Sequence, residues 1–340
     1  MAILRSVLTN ASSAVRAEAN EAGALTVMRD VWSLACGEHS LMHELLGVVA
    51  NIMHLEPSIK ASVVGDEKES ATTSFSASKN GASLALLMNN LISRVGLAPQ
   101  TFAIALTCLQ QLCTSTHSLA SITKMSFLGG GVCTKVFLES AKKRDFVKQE
   151  AILRLFATLG ATRGGQKLLI QDKSLRPALD EVLRLTEVKR PGLQRAALAV
   201  WHNLAFSLEA KAYFGGANPA SLDCFLRILE THDGDDYRDG AGSTRALATT
   251  ILWALAFNSE KIKLLLKKKG VLRLLLSSHD VLEKNPLATT GDMLPDMLPH
   301  DTNDASTRDC ALPHSPKTNA HEQRAASFLA QLLDVDAVCS

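Results

Sequence analysis

A repeated pattern of helices most constrains the fold of this 340-residue chain. Apolar helical stretches that end near a small or amide residue recur along it, each followed by a polar break and a further short helix. The clearest copies are AALAVWHNLA at 196–205, LATTILWALA at 247–256 and LLGVVANIM at 45–53. A repeat of about 40–47 residues is typical of helical solenoids, in which stacked units share one continuous core.

One position near the end of each apolar stretch aligns the copies, and we call it the anchor position. The anchor residues are Asn10, Asn51, Gln111, Thr158, Asn203 and Ala254. Successive anchors are separated by 41, 60, 47, 45 and 51 residues. A polar insertion at 66–80 and a Gly/Asp-rich loop at 232–243 explain the two longest intervals, because insertions between helices are tolerated well.

Each full unit is predicted to contain a short first helix, an apolar second helix and a longer third helix. In the clearest unit these helices cover about 207–217, 221–230 and 244–257. The other second helices are predicted at 24–35, 83–94, 132–142 and 176–186. Three glycines lie between first and second helices, where a sharp corner favours positive φ. These are Gly23, Gly131 and Gly270.

This organisation resembles the armadillo repeat, a family whose third helix ends in an ALxNLA-like stretch. The matching segments are VWHNLA at 200–205, ILWALA at 251–256 and VVANIM at 48–53. The resemblance covers about residues 1–282. It implies an all-α, armadillo-like right-handed superhelix of three-helix repeats, with a partial first repeat and five fuller units.

The same resemblance implies that the third helices line a concave groove. It also implies that the side-chain amides at the anchor position bind the backbone of an extended peptide, since an amide offers both donors and an acceptor. The candidate partner-groove residues are Asn51, Gln111, Asn203 and Asn10. Thr158 and Ala254 depart from this pattern, and the Trp that importin-type carriers place four residues earlier is missing. An alternative stays open, in which each Asn bonds a neighbouring backbone group at the helix end.

The two ends of the array carry separate predictions. Residues 283–322 have little apolar periodicity and are predicted to be a disordered linker. Residues 323–338 are predicted to form a short amphipathic helix that either caps the array or binds a partner. Because residues 1–11 resemble the end of a third helix, we expect either further repeats upstream of Met1 or another chain over this end.

Composition and motifs point away from catalysis, cofactors and metals. The net charge of +2, without a basic stripe bearing aromatic residues, argues against nucleic-acid binding. The glycines at 129–131 lack the ending of a phosphate-binding loop, and HSLMH at 39–43 lacks the metal-binding HExxH pattern. No run of about 18 apolar residues predicts a membrane helix. Neither an enzyme nor a small-molecule substrate is therefore predicted.

Cysteine usage favours a reducing compartment. The chain has seven cysteines and no CxxC motif. Cys108 and Cys113 lie on different faces of one predicted helix, so we expect both to be buried small residues rather than a redox pair.

The predicted function is a non-catalytic scaffold in the cytoplasm that binds a protein or an extended peptide along the groove. Residues 248–276 resemble the closing repeats of a long armadillo-type protein of centrioles and ciliary basal bodies. That resemblance implies a role in centriole, basal-body and cilium assembly. The alternative is a cytosolic or nuclear adaptor for transport or ubiquitin-linked complexes, because this repeat family serves many unrelated functions.

Overall fold

All regular structure in the described part of the chain is helical, which confirms the predicted all-α class. The computed structural model describes residues 1–54, 56–64, 83–94, 96–217, 219–230, 244–275 and 326–333. The predicted insertion at 66–80 and linker at 283–322 lie outside these residues. Of the amphipathic helix predicted at 323–338, residues 326–333 are described, and they are helical.

The chain divides into two compact units, Met1–Tyr213 and Phe214–Ser340. The helices of the first unit are α1 Ala2–Thr9, α2 Ser13–Glu21, α3 Ala24–Asp30, α4 Trp32–Ala35, α5 His39–Met53, α6 Pro57–Val64, α7 Leu84–Ile92, α8 Pro99–Leu112, α9 Thr116–Lys124, α10 Ser126–Gly129, α11 Val132–Lys143, α12 Phe146–Gly160, α13 Arg163–Gln171, α14 Arg176–Leu185, α15 Pro191–Leu204 and α16 Leu208–Ala212.

The second unit begins within a π-helical turn, Tyr213–Ala217, and continues with a 3₁₀ turn, Pro219–Leu222. Its α-helices are α17 Asp223–Glu230, α18 Thr244–Ala256 and α19 Glu260–Lys268, and residues 271–275 are also helical. α18 packs against both α17 and α19. The predicted third helix at 244–257 therefore matches α18 to within one residue.

Helices of the first unit pack in three rows, one for each helix position of the predicted repeat. The third helices form the longest row, in which α1, α5, α8, α12 and α15 pack on one another in chain order. First helices form a second row of α6, α9, α13 and α16. Among second helices, α11 packs on α14, whereas α7 contacts α10, the short helix that precedes α11. In the rows of third helices and of first helices, each helix thus packs on the helix at the same position in the next repeat.

The predicted glycine corners are confirmed by the backbone. Gly23 and Gly131 immediately precede second helices with φ of 86° and 71°, and Gly270 has a φ of 73°. Two helix predictions differ in detail. The segment 24–35 is divided at Val31 into α3 and α4, and the segment 207–217 is α-helical only to Ala212. The glycine pair in YFGGA is a poor α-helix former, which explains the wider turn there.

Buried cysteines and one buried amide complete the core of the first unit. Cys108 and Cys113 are fully buried, as predicted, and burial raises the pKa of each thiol to about 12. Asn89, 2% exposed, joins the second helix α7 to the short helix α10. Its Oδ1 accepts a hydrogen bond from the Phe127 backbone N–H at 3.0 Å, and its Nδ2 donates to Ser126 Oγ at 3.0 Å.

Two adjacent glycines at the start of α13 differ in the space around them. A Cβ at Gly165 would overlap the carbonyl oxygen of Leu159 at the end of α12, whereas a Cβ at Gly164 would make an ordinary contact with Leu119 at 3.4 Å. Gly165 therefore allows α13 to fold tightly back on α12, and Gly164 has no such role.

We predict that Gly165→Ala lowers the free energy of unfolding by about 1–3 kcal/mol, because the new methyl group displaces a backbone carbonyl. Gly164→Ala is the matched control, and it should be neutral or stabilising by up to about 1 kcal/mol because it reduces the entropy of the unfolded chain. Urea unfolding of the two variants checks this. Equal stability of the two variants would contradict the close approach.

Candidate partner-binding face

The predicted anchor residues lie together at the carboxyl-terminal ends of the long row of helices. Asn51, Gln111, Thr158 and Asn203 belong to α5, α8, α12 and α15, and Asn10 directly follows α1. All five belong to the first unit, whereas Ala254 belongs to the second and is buried. We call the surface formed by Asn10, Asn51, Gln111, Thr158 and Asn203 the anchor face.

Asn51 links α5 to the preceding helix of the row. Its Nδ2 donates to the carbonyl oxygen of Arg5 at 3.1 Å and to Thr9 Oγ1 at 3.0 Å. The Arg5 side chain crosses α5 beside Gly47, where a Cβ would lie 2.5 Å from Arg5 Nε, and it pairs with Glu44 at 3.0 Å. A glycine and an amide therefore seat α1 on α5.

Asn203 makes the same kind of link between α15 and α12. Its Nδ2 donates to the carbonyl oxygen of Ala157 at 2.8 Å. Gly160 permits this approach, since a Cβ there would lie 3.2 Å from Asn203 Cβ. Gln166 of α13 adds a second tie, because its Nε2 donates to the carbonyl oxygens of Gly160 at 2.9 Å and Asn203 at 3.2 Å.

Both asparagines thus use their amide N–H groups inside the molecule, which is the arrangement that the sequence left open as an alternative. Each bond joins the carboxyl-terminal ends of two neighbouring helices, so these helices run parallel and in register. The Oδ1 atom of Asn51 has no donor among the described residues. Peptide binding by Asn51 and Asn203 stays a prediction. The side-chain Oδ1 atoms of these residues are the acceptors that a bound peptide could use.

The other anchor residues differ from these two. Gln111 Oε1 is buried and has no hydrogen-bond partner among the described residues. Thr158 Oγ1 donates to the Arg154 carbonyl at 3.1 Å, within its own helix. Asn10 is exposed. Gln111, in the middle of the row, therefore differs from Asn51 in that its acceptor without a donor among the described residues is buried.

A buried lysine beside Gln111 was missed by the sequence analysis. Lys60 is 7% exposed, and its Nζ donates to Thr114 Oγ1 at 2.8 Å, whose hydroxyl donates to the Gln111 carbonyl at 2.7 Å. Burial lowers the pKa of Lys60, and the charge of Glu56 opposes that shift. A cation at the carboxyl-terminal end of α8 favourably opposes the helix dipole. Its sequence context, PSIKASVV, gives no sign of this role.

The row of first helices forms an open groove away from the anchor residues. It lies between α9 and α13 and encloses about 680 Å³. Its lining is Leu119, Ala120, Thr123, Gly164, Lys167, Leu168, Gln171 and Asp172. The sequence predicted a groove only along the third helices. A groove between α9 and α13 could not be predicted, because it depends on how the two helices pack side by side and not on the sequence pattern of either.

The described residues carry neither a metal-binding cluster nor a membrane-spanning helix. No group of three or more His, Cys, Asp or Glu side chains there is placed to share a metal ion. No helix in that part of the chain is both long and apolar enough to cross a membrane.

Comparisons with known proteins bear on the fold alone. No family model matches the chain, and no curated protein matches it. Two crystal structures of engineered proteins from the Northeast Structural Genomics Consortium are similar to it. The first has a TM-score of 0.59 at 12% identity, covering 91% of this chain and 96% of the other. The second has a TM-score of 0.53 at 12% identity, covering 97% of this chain and 72% of the other.

We predict that Asn51→Ala and Asn203→Ala each lower the free energy of unfolding by about 1 kcal/mol, the net value of one hydrogen bond. The loss stays modest because the Ala157 carbonyl also accepts from the Ala161 N–H and the Arg5 carbonyl also accepts from Thr9 Oγ1. Gln111→Ala is the matched control and should not lower stability, since removing an unpaired buried oxygen offsets the packing lost with its methylene groups. Urea denaturation distinguishes the three. A cost at Gln111 equal to that at Asn203 would contradict these assignments.

Proposed function

We propose that the chain is a non-catalytic scaffold of the armadillo-like class, a right-handed superhelix that binds a partner protein or extended peptide along the anchor face. The observation that carries the proposal is Gln111 Oε1 at the centre of that face, which is buried and has no hydrogen-bond donor within the part of the chain that the structure describes. A buried acceptor without a donor costs about 1–3 kcal/mol. Because the Gln111 side chain as a whole is only half-buried, rotation of its amide can bring Oε1 to the surface, where a backbone N–H of a bound peptide would regain that free energy.

The neighbours of Gln111 add acceptors on the same surface. Asn51 presents its Oδ1, while its amide N–H groups are held by α1. Asn203 Oδ1 lies 3.3 Å from His202 Nδ1. Because both amides are fixed by contacts with the preceding helix, a partner binds them with little further loss of side-chain entropy. Such preorganised acceptors suit the N–H groups of an extended backbone.

Charged side chains on the same row give the partner a second means of recognition. Arg154 lies one turn before Thr158, is exposed, and pairs with Glu150 at 2.7 Å. An exposed pair of this kind contributes little to stability, about 0–1 kcal/mol. The Arg154 guanidinium can therefore leave Glu150 and pair with an acidic side chain of a partner at a small cost in free energy.

The proposed setting is the centriole and ciliary basal body. It rests on the resemblance of residues 248–276 to the closing repeats of rotatin, a long armadillo-type protein of those organelles. The chain then takes part in centriole and cilium assembly by holding partner proteins. The alternative is an adaptor in the cytosol or nucleus, and the location of the protein in cells distinguishes it from a centriolar scaffold.

The proposal is tested with the full chain fused to a proximity-labelling enzyme in ciliated cells. The double variant Gln111→Ala, Arg154→Ala changes the anchor face at positions whose side chains add little to stability. Its matched control is Gln171→Ala, Lys173→Ala, which alters exposed residues near the end of α13. Foci that coincide with a centriole marker, and labelled centriolar proteins, are the expected results for the wild type and the control.

The anchor-face variant should label those centriolar proteins at least about fivefold less, the effect of losing about 1 kcal/mol of binding free energy. Undiminished labelling by this variant would overturn the anchor face as the binding surface. Diffuse or nuclear signal from the wild type would overturn the centriolar setting and favour the adaptor.

A further inference from the structure

Two neighbouring corners of the first unit carry an excess of positive charge. One corner joins α11 to α12 and has the sequence KKRDFVK at 142–148, and the other joins α14 to α15 and contains EVKR at 187–190. Together the two segments hold six basic and two acidic residues, whereas the whole chain has a net charge of only +2. The two corners therefore form a local concentration of positive charge.

Helix packing brings the two corners together. α11 packs on α14, and α12 packs on α15. The Arg190 guanidinium lies 3.6 Å from the centre of the Phe146 ring, so a cation–π contact links the second corner to the first. Because the axes of packed helices lie about 8–10 Å apart, the cations of both corners are within reach of one short ligand.

Most of these cations have no counter-charge in the described part of the chain. Lys148 is the exception, because its Nζ pairs with Asp145 at 3.7 Å. The other five are exposed, and none of them forms an ion pair with a described residue. We call these five residues the basic patch: Lys142, Lys143, Arg144, Lys189 and Arg190.

Helix stability explains only part of the basic patch. Lys142 and Lys143 lie in the last turn of α11, where a cation favourably opposes the helix dipole. Lys189 and Arg190 lie at the opposite kind of helix end, since Arg190 is the N-cap residue of α15. A cation there faces the positive end of the dipole and lowers stability. The second corner therefore carries its charge at a cost to the fold.

Arg144 adds a second cost at the first corner. It is the C-cap residue of α11 and has a φ of 55°, in the left-handed region that favours glycine. Arginine is strained in this conformation, and such strain is commonly kept where a side chain has a functional role. The charge of Arg144 therefore indicates a role outside the fold itself.

We propose that the basic patch binds an acidic segment of a partner polypeptide, a run of Asp and Glu residues in an extended conformation. Its carboxylates accept paired hydrogen bonds from the guanidinium groups of Arg144 and Arg190. Residues three apart in an extended chain span about 10 Å, the distance between neighbouring helices, so a run of about six acidic residues reaches both corners.

This surface is separate from the anchor face. The basic patch lies at the amino-terminal ends of α12 and α15, whereas Thr158 and Asn203 lie near their carboxyl-terminal ends. The length of α12 separates the two surfaces by about 20 Å, at 1.5 Å per residue. Binding of an acidic segment here goes beyond the proposed function.

Nucleic acid fits the basic patch less well than an acidic peptide does. Proteins that bind single strands combine positive charge with aromatic side chains on which bases stack. Phe146 is the one aromatic residue of the two segments, and Arg190 already covers a face of its ring. Asp145 and Glu187 also repel a backbone that is charged at every nucleotide, whereas a peptide can place uncharged residues opposite them.

The experiment uses the full chain and a fluorescein-labelled octaglutamate peptide. Binding is followed by anisotropy at about 50 mM salt, where exposed charges are only partly screened. Octaglutamine is the control peptide, and a labelled single-stranded oligothymidylate of equal charge represents nucleic acid. The patch variant is Lys143→Glu, Lys189→Glu. Its matched control is Arg163→Glu, Lys173→Glu, which makes the same change in net charge at exposed residues elsewhere in the first unit.

Saturable binding of octaglutamate that weakens with added salt is expected for the wild type. The patch variant should bind at least about tenfold more weakly, because two attractions become repulsions, and the matched control should bind as the wild type does. Arg144→Gly should weaken binding about two- to fivefold, the effect of losing one exposed ion pair. Its midpoint of urea unfolding should stay the same or rise, since glycine relieves the strain.

No saturable binding by the wild type, equal binding of octaglutamine, or equal weakening in the patch variant and its control would overturn the proposal. Tighter binding of the oligothymidylate, lost in the patch variant, would overturn it as well by assigning the surface to nucleic acid. Unchanged binding by Arg144→Gly would overturn the role given to Arg144. Gln111→Ala leaves octaglutamate binding unchanged, so failure of the anchor face and failure of the basic patch are distinguishable.

Discussion

The contact between the carboxyl-terminal ends of neighbouring parallel long helices is the interaction on which the first unit depends. At α1–α5 and α12–α15 it has the same parts: an asparagine that donates to a backbone carbonyl, and a valine three residues earlier that is fully buried. Apolar packing supplies most of the free energy, and the hydrogen bond adds direction. One helix is thereby fixed in register with the next.

That contact explains why glycines occur where helices meet. Gly160 admits the Asn203 side chain, Gly47 admits Arg5, and Gly165 turns α13 back on α12. A methyl group at Gly165 would hold two backbones apart, whereas at Gly160 and Gly47 it would displace the side chains of Asn203 and Arg5. The anchor face is consequently a result of helix packing. The amide N–H groups of Asn51 and Asn203 bond neighbouring helices, and their side-chain oxygens are available to a partner.

Much of this architecture could be predicted from the sequence, and the limits have physical causes. Helical periodicity and the anchor spacing indicated the three helices of each unit, and the glycine corners followed from their need for positive φ. The hydrogen-bond partners of the anchor asparagines could not be predicted, because a backbone carbonyl of a neighbouring helix and one of a bound peptide accept the same hydrogen bond from a side-chain amide. The roles of Lys60 and Asn89 could not be predicted for a similar reason, since each depends on a hydrogen bond with an atom far away in the sequence.

The most direct test of the asparagine contact is an NMR measurement on full-length protein labelled with ¹⁵N at asparagine and ¹³C at the alanine methyl groups. Loss of single peaks in the Asn51→Ala, Asn203→Ala and Asn10→Ala variants assigns the side-chain amides. We predict slow solvent exchange of the Asn51 and Asn203 amides, a nuclear Overhauser effect from Asn203 to the Ala157 methyl group, and fast exchange at Asn10. Fast exchange at Asn203 with no Overhauser effect to Ala157 would contradict the account.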